Sequence, residues 1–347
     1  MGTRHTVKSP EPPRWQPTRR ELLAAAAVGS LSLLSPRSAA SGQAAKEPVW
    51  RLAPLPPDDV PWWLRLPEPQ ARVVDIRSGN ALHASTVDRG VLSELLDQGI
   101  RTLTGAASVD AAWRSVLGPA ERIVLKFNAV GAEVINTNAE VARLLVRRLA
   151  GAGYRPEKLA LVEAPAHLAE ELGTRGVVQA WGPPVRVGDD LEPLVQYLYD
   201  ADAMINVPLL KTHQIAGMSG CMKNLSHALI RHPARYHANG CSPYIAQVVS
   251  SKEVSSKLRL NVVSALRVVV SHGPDAREED IAGYGGLLLG FDPLAVDSVG
   301  LAILATERRR RGLVTSSTVP QLASAAQMGI GRWRPAEIER VTLEIDR

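Results

Sequence analysis

Cysteine is scarce in this sequence, since only Cys221 and Cys241 occur among 347 residues. Two thiolates cannot by themselves hold an iron–sulfur cluster or a closed structural zinc site, and one pair cannot form a disulfide scaffold. A chain of this length does not need such crosslinks, because one of about 300 residues already buries about 75% of its unfolded surface. We therefore expect a fold held by apolar packing, with both thiols free unless a single bridge joins them.

Long apolar runs and several familiar fingerprints are also missing. No apolar run reaches the roughly 20 residues that a transmembrane helix needs, so no stable transmembrane span is expected. The sequence contains no G-x-G-x-x-G or P-loop motif and no G-x-S-x-G element. These absences disfavour a fingerprint-type nucleotide site and a serine hydrolase.

The first 45 residues have the layout of a twin-arginine export signal. Arg19 and Arg20 precede an apolar run, residues 22–34, and a stretch of small residues, 38–45, follows it. A short helix that stays in the cytoplasm is the alternative interpretation. We expect residues 1–45 to be the signal, the twin-arginine translocase to be a partner during export, and the mature protein to be periplasmic or secreted.

Positive charge is concentrated in that same segment. Residues 1–45 contain six basic and two acidic residues, so without them the formal net charge falls from +5 to +1. The high isoelectric point therefore gives no support to a nucleic-acid partner.

The rest of the chain divides into a short arm and one domain. Residues 46–70 are rich in proline and contain Trp50, Trp62 and Trp63, which predicts an extended arm or linker with the tryptophans on the domain surface. Residues 71–347 alternate between strand and helix patterns. Such repeated strand, helix, strand units predict a single-domain α/β fold, with a mainly parallel sheet and helices on both faces.

Individual elements follow from apolar periodicity. Residues 123–127 and 203–207 are predicted as buried strands, and residues 139–149 as an amphipathic helix capped by Asn138. Residues 191–199 are predicted as a helix. Two closely spaced strands are expected at residues 258–263 and 266–271.

Cations and amides cluster where two of these strands end. Lys126 and Asn128 close the first, and Lys211, His213, Lys223 and Asn224 follow the second. Ligands of open α/β sheets bind beyond the carboxyl ends of parallel strands, so these side chains are expected to converge. We expect the lysines and amides to bind a small anionic ligand, with His213 and Lys211 in catalytic roles and His213 transferring a proton. Surface lysines and a purely structural histidine are the alternatives.

Two further candidates lie downstream. Arg231 belongs to a segment with His227, His232 and His237, which we expect to close over the anion. The three histidines are five residues apart and Pro233 interrupts any helix, so the spacing does not specify a metal site and none is expected. Asp292 is a candidate ligand-binding residue, although Asp292-Pro293 is equally explained as a helix N-cap followed by proline.

Several motifs together resemble one known family. They are INVPLLKTH at residues 205–213 followed by SGCMKN at 219–224, VLKFN at 124–128, Arg231 to His237, His272-Gly273-Pro274, and GFDPLAVDSVG at 290–300. This set resembles the DUF362 family of bacterial and archaeal proteins, whose biochemical role is largely undefined. The resemblance covers roughly residues 120–330, so residues 71–347 are identified as a DUF362-like α/β domain.

The chain also departs from that family. Many relatives carry a ferredoxin-like run of cysteines, which is missing here, and residues 263–265 read Val-Ser-Ala where relatives often end a strand in Asp-Ala. The predicted cleft of lysines, histidine and asparagines favours an enzyme of undefined reaction on a small anion, and the relatives with cysteine clusters, together with the expected export, suggest a redox-linked reaction as a variant. A non-catalytic protein that binds or assembles an anion or cofactor is the alternative. The cofactor is left unspecified.

Overall fold

A computed structural model of the protein describes residues 55–177, 179–315 and 319–345. The expected export signal and the first part of the expected arm lie outside these ranges. Among the described residues, no helix has both the length and the hydropathy needed to cross a membrane.

The described residues form thirteen strands, nine of them in one large sheet and four in two hairpins. In chain order the strands are β1 (Ala71–Arg77), β2 (Leu82–His83), β3 (Thr86–Val87), β4 (Ile123–Lys126), β5 (Leu159–Val162), β6 (Trp181–Val187), β7 (Asp190–Val195), β8 (Ala203–Asn206), β9 (Leu209–His213), β10 (Gly217–Ser219), β11 (Leu258–Val269), β12 (Ile281–Gly290) and β13 (Ile338–Glu344). The main order is β13-β1-β12-β11-β8-β4-β5, with β9 beside the second half of β11 and β10 beside β9. Strands β2 and β3, and strands β6 and β7, form two separate hairpins.

The sheet is mixed but mostly parallel. Strand β4 runs parallel to β5 and β8, strand β11 runs parallel to β8 and β9, and β1 runs parallel to β13. Only β10 and β12 run antiparallel to their neighbours. The predicted fold class is therefore confirmed.

Helices cover both faces of this sheet. They are α1 (Arg89–Thr104), α2 (Val109–Leu117), α3 (Ala132–Ile135), α4 (Asn138–Gly151), α5 (His167–Glu171), α6 (Tyr197–Asp200), α7 (Cys221–Asn224), α8 (Ala238–Cys241), α9 (Tyr244–Ser250), α10 (Lys252–Ser255), α11 (Pro293–Arg310) and α12 (Pro320–Met328). Leu125 and Ile205 pack in one core with α1, α2 and α4, whereas Val124 and Met204 pack in the other with α9, α11 and α12. Alternate strand residues thus enter opposite cores, as expected for a sheet buried on both faces.

Three element predictions were wrong. Residues 191–199 are not one helix, because Asp190–Val195 pairs with β6 and only Tyr197–Asp200 is helical. The two expected strands at residues 258–271 are one strand, β11, whose pairing with β12 shifts register between Ala265 and Arg267. Asn138 does not cap α4, because its amide instead donates to the carbonyl oxygen of Asn128 at 2.9 Å.

The described part of the expected arm packs against the domain. Trp63 is 1% exposed and its indole N–H donates to the carbonyl oxygen of Ile330 at 2.9 Å. Trp62 donates to the carbonyl oxygen of Leu258 at 2.7 Å and its ring packs against Phe291. Burying these large rings with their N–H groups bonded holds this segment to the sheet.

Candidate functional site

A chain of buried asparagines crosses the sheet at the carboxyl ends of β4 and β8. Asn261 of β11 accepts a hydrogen bond from the amide of Asn206 at 2.8 Å, and Asn206 accepts one from Asn224 at 2.7 Å. Asn224 in turn accepts from Lys126 at 3.2 Å and from the amide of Asn128 at 3.3 Å. Because buried amides must be hydrogen-bonded, each member fixes the orientation of the next. The network therefore holds the loops at this edge of the sheet.

Lys126 is the fully buried cation of this network. Its ammonium donates to the carbonyl oxygen of Phe127 at 2.7 Å, to Glu163 at 3.0 Å and to Asn224. Burial lowers the pKa of Lys126, and the adjacent Glu163 carboxylate opposes that shift. An ammonium has three N–H donors, so these acceptors use all of them. Lys126 thus joins β4 to the loop that follows β5 and to α7.

Lys211 is equally buried but retains one donor. Its ammonium donates to the side-chain oxygen of Asn128 at 2.7 Å and to the carbonyl oxygen of Val130. Burial lowers the pKa of Lys211 to about 8, opposed by Asp275 and Glu163. The structure therefore brings together Lys126, Asn128, Lys211 and Asn224, which the sequence had placed on separate segments.

Lys223 differs from both, because within the described part of the chain its ammonium has no hydrogen bond or ion pair. Burial lowers the pKa of Lys223 to about 8. Its charge in turn lowers the pKa of His213, His227, His237 and Cys241, so these groups lie near it. We call these five residues the Lys223 cluster.

Asp297 positions the helix that carries Lys223. Its carboxylate accepts hydrogen bonds from the backbone amides of Cys221 at 2.6 Å and Met222 at 2.9 Å, at the start of α7. Gly220 precedes the helix, and a Cβ there would overlap the Asp297 carboxylate. The S-G-C-M-K-N segment is therefore a tight turn that aims Lys223 and Asn224 toward the sheet edge.

His213 binds the backbone through one ring nitrogen. Its Nδ1 accepts from the amides of Ile215 at 3.2 Å and Ala216 at 3.1 Å. Because backbone amides only donate, Nδ1 holds a lone pair and Nε2 carries the ring proton. Burial, followed by the charges of Lys223, His237 and Lys211, lowers the pKa of His213 to about 3. At neutral pH the ring is an uncharged hydrogen-bond donor.

This burial of a neutral histidine predicts acid sensitivity. The pKa of His213 rises from about 3 when folded to its ordinary 6.5 when unfolded, so the unfolded chain binds more protons between these values. We expect the free energy of unfolding to fall as the pH is lowered below 6.5, with up to about 1.4 kcal/mol per pH unit from this group. Urea unfolding between pH 8 and 5 measures the slope. His213→Asn, whose side-chain oxygen can replace Nδ1, should reduce it, and an unchanged slope would show that His213 does not contribute.

Arg231 and Asp292 are not part of the asparagine network. The Arg231 side chain is exposed, and its backbone amide donates to the carbonyl oxygen of Pro193 at 3.1 Å. Asp292 caps α11, accepting from the amides of Leu294 at 2.9 Å and Ala295 at 3.0 Å, and also from the amide of Arg332. The N-cap alternative accounts for the first two bonds, and the third joins the start of α11 to the segment around Arg332.

Glu192 was missed by sequence reasoning, and it anchors the segment that contains Arg231. Its fully buried carboxylate accepts from the backbone amide of His232 at 2.6 Å and from the hydroxyl of Tyr236 at 3.2 Å. The signal was an acidic residue at an inward position of a strand. It was hidden because residues 191–199 matched a helix pattern.

The same segment brings three potential metal ligands together. His227, His237 and Cys241 each offer one ligand atom, and these atoms lie within 4.8 Å of one another. Sequence spacing did not reveal this, because the three residues sit on an irregular segment whose course is set by tertiary contacts. Whether a metal binds is untested, so the expectation that none does stays a prediction.

Comparison with known proteins identifies a family for the chain but no reaction. The sequence model of a family described as "Domain of unknown function (DUF362)" matches residues 123–302, just over half of the chain. No curated protein matches the sequence.

Two solved structures are weakly similar to the described fold. The lactate racemase apoprotein from Thermoanaerobacterium thermosaccharolyticum aligns with 10% identity and a TM-score of 0.36, over 65% of this chain and 55% of that protein. A Thermotoga maritima protein of known structure aligns with 14% identity and a TM-score of 0.34, over 65% and 60% of the two chains. The chain therefore covers less than two thirds of either neighbour, and similarities this weak carry no argument about the site.

Proposed function

The chain belongs to the DUF362 family, and on that premise we propose that it binds a small anionic substrate at the Lys223 cluster and transfers a proton to or from it. The observation that carries the proposal is the ammonium of Lys223, which lacks a carboxylate partner among the described residues. Lys223 is half-buried, and a partly desolvated cation without a counter-ion is unfavourable, so an anion that binds there offsets that cost.

Counting free donors identifies the groups for the anion. Lys126 has none left, Lys211 has one, and Lys223 has three. His213 adds its Nε2–H, because only its Nδ1 is occupied. Ammonium and imidazole N–H groups both donate hydrogen bonds to carboxylate or phosphate oxygens, and the charged ammonium gives the stronger bonds.

Lys211 also suits proton transfer. The pKa of Lys211 is lowered to about 8, so near neutral pH an appreciable fraction is the free amine. In that form it can still donate to Asn128 and Val130 while its lone pair accepts a proton from the substrate. His213 would donate a hydrogen bond to charge that develops on a substrate oxygen, as a neutral imidazole can.

One cavity reaches the edge of the Lys223 cluster. It has a volume of about 270 Å³ and is lined by His213, Thr212 and His272. A larger one of about 690 Å³ lies beside Trp62 and Arg259, at a different part of the sheet. Phosphate and short carboxylates are proposed because the cluster offers cationic donors, which bind their oxygens.

Thermal unfolding tests the binding step. At 100 times its dissociation constant an anion stabilises by about 2.7 kcal/mol, which raises the midpoint of a chain this size by roughly 5 °C. We expect such a shift for wild type with phosphate or a short carboxylate at pH 7, and at most about half of it for Lys223→Met, because affinity tenfold weaker leaves about 1.4 kcal/mol of stabilisation at the same anion concentration. Lys252→Met is the matched control, because Lys252 is exposed and makes no side-chain bond in the described structure. Equal shifts in wild type and Lys223→Met would refute the proposal.

Non-catalytic capture of the anion is the second candidate. It is favoured by His213, whose basic nitrogen is already bound to two backbone amides and so cannot accept a proton. His213→Asn separates the two functions. An enzyme should lose turnover while the anion still binds, whereas a capture protein has no turnover to lose.

We also propose that the mature chain acts outside the cytoplasm. The support is the arginine pair, apolar run and small-residue stretch of the first 45 residues.

A further inference from the structure

Three side chains of the Lys223 cluster have the composition of a metal site. His227 follows α7, and His237 and Cys241 lie at the two ends of α8, so the set spans only fifteen residues of sequence. His227 and Cys241 are buried and His237 is half-buried. Two imidazoles and a thiolate are the ligands preferred by zinc and by neighbouring divalent transition metals.

The ring of His227 is held by a backbone carbonyl. Nε2 of His227 lies 3.0 Å from the carbonyl oxygen of Tyr236, so Nε2 must donate and Nδ1 keeps its lone pair. The hydroxyl of Ser226 lies 3.2 Å from this Nδ1 and also donates to the carbonyl oxygen of Lys223 at 3.0 Å, so a metal at Nδ1 requires only that the hydroxyl keep its bond to Lys223. Metal-bound histidines typically donate their second nitrogen in this way, which fixes the tautomer and aims the other nitrogen at the metal.

The backbone before the thiol has an unusual conformation. Asn239, Gly240 and Cys241 have φ values of 53°, 67° and 65°, so three successive residues are left-handed. For a residue other than glycine this conformation costs about 1 kcal/mol or more, and such costs concentrate at functional sites. The strained turn places the Cys241 sulfur beside the two rings.

We propose that His227 Nδ1, a ring nitrogen of His237 and the Cys241 sulfur bind one Zn²⁺-like divalent transition metal and leave a fourth position open. With Zn–N near 2.0 Å and Zn–S near 2.3 Å, tetrahedral ligand atoms are roughly 3.3 to 3.6 Å apart. The three ligand atoms lie within 4.8 Å of one another, so the distances between them have to shorten by up to about 1 Å when the metal binds. Three protein ligands and one open position are typical of catalytic zinc sites.

The positive charge of the nearby Lys223 ammonium does not prevent a metal cation from binding. The thiolate of Cys241 neutralises one of the two metal charges, and an anion or water in the open position can face both the metal and Lys223. The metal inference stands on the His227, His237 and Cys241 geometry alone, so it does not depend on the anion proposal.

Cobalt binding tests the site directly. The full chain is treated with a chelator, dialysed and titrated with Co²⁺ under reducing conditions. We expect one Co²⁺ per chain, with visible absorption of tetrahedral intensity and a thiolate-to-cobalt charge-transfer band in the near ultraviolet. Zn²⁺ should displace the cobalt and abolish both signals.

Two cysteine variants provide the matched comparison. Cys241→Ser should remove the charge-transfer band and weaken cobalt binding more than about tenfold, whereas Cys221→Ser should keep both, because Cys221 lies outside the cluster and next to Asp297. Circular dichroism checks the fold, and if Cys241→Ser does not fold, the half-buried His237→Gln replaces it, with weaker cobalt binding expected. A folded wild type that binds no cobalt, binding without the charge-transfer band, or equal binding by wild type and the folded ligand variant would overturn the inference.

Discussion

Lys126→Met is expected to lower the free energy of unfolding by about 3–5 kcal/mol, because two buried acceptors, at about 1–3 kcal/mol each, and one part-buried carboxylate lose their donor. Methionine keeps the apolar stem but leaves Glu163, Asn224 and the carbonyl of Phe127 without their shared donor. Because folded domains are stable by only about 5–15 kcal/mol, a loss of this size is a large share of the total. Urea unfolding of wild type and variant measures it.

Two controls show whether the buried network is the cause. Lys252→Met removes an exposed ammonium and should change the free energy of unfolding by less than about 0.5 kcal/mol. Glu163→Gln keeps an acceptor for Lys126 and should cost less than Lys126→Met, because the Glu163 side chain is 32% exposed. If Lys126→Met is as stable as wild type, the hydrogen bonds assigned to its ammonium do not hold this edge of the sheet.

Changing Arg19 and Arg20 together to lysine should stop export almost completely. Lysine keeps the charge but loses the planar guanidinium, and the translocase recognises the arginine pair. Immunoblots of cytoplasmic and periplasmic fractions should show wild type exported and shortened, and the double variant retained as precursor. Arg14→Lys, outside the pair, is the control and should be exported normally. Normal export of the double variant would show that these residues do not form a twin-arginine signal.

The fold class followed from the sequence because its main signal is local. The apolar runs that contain Leu125 and Ile205 are long enough to mark buried strands, and the helices between them show clear periodicity. The helix predicted for residues 191–199 was wrong, because the pattern of a short hairpin strand also fits one face of a helix. In the strand Glu192 is buried and Leu191 is exposed.

The candidate site was only partly visible from sequence. Lys211 and Asn224 were expected at this edge because they follow the strand that ends near Asn206, although Lys211 itself lies within β9. The asparagine network was missed, since Asn206 and Asn261 lie 55 residues apart and each looks like an isolated polar residue in an apolar strand. A buried amide always needs a partner, so these two asparagines were the available signal.

The roles of the three lysines could not be distinguished from the sequence either. Lys126, Lys211 and Lys223 look alike in the sequence, and all three were expected to hold the anion. Their difference lies in donor count, which depends on acceptors such as Glu163 and Val130 that only the folded chain brings near. Sequence reasoning could therefore find the cations but could not tell which of them is free.

Isothermal titration calorimetry at pH 7 tests the central claim most directly, using the phosphate or short carboxylate that gives the largest thermal shift. The account predicts one anion per wild-type chain, affinity reduced more than about tenfold in Lys223→Met through loss of a charge-assisted bond, and unchanged affinity in Lys252→Met. The same affinity in wild type and in folded Lys223→Met, or no binding of any of these anions to wild type, would contradict it.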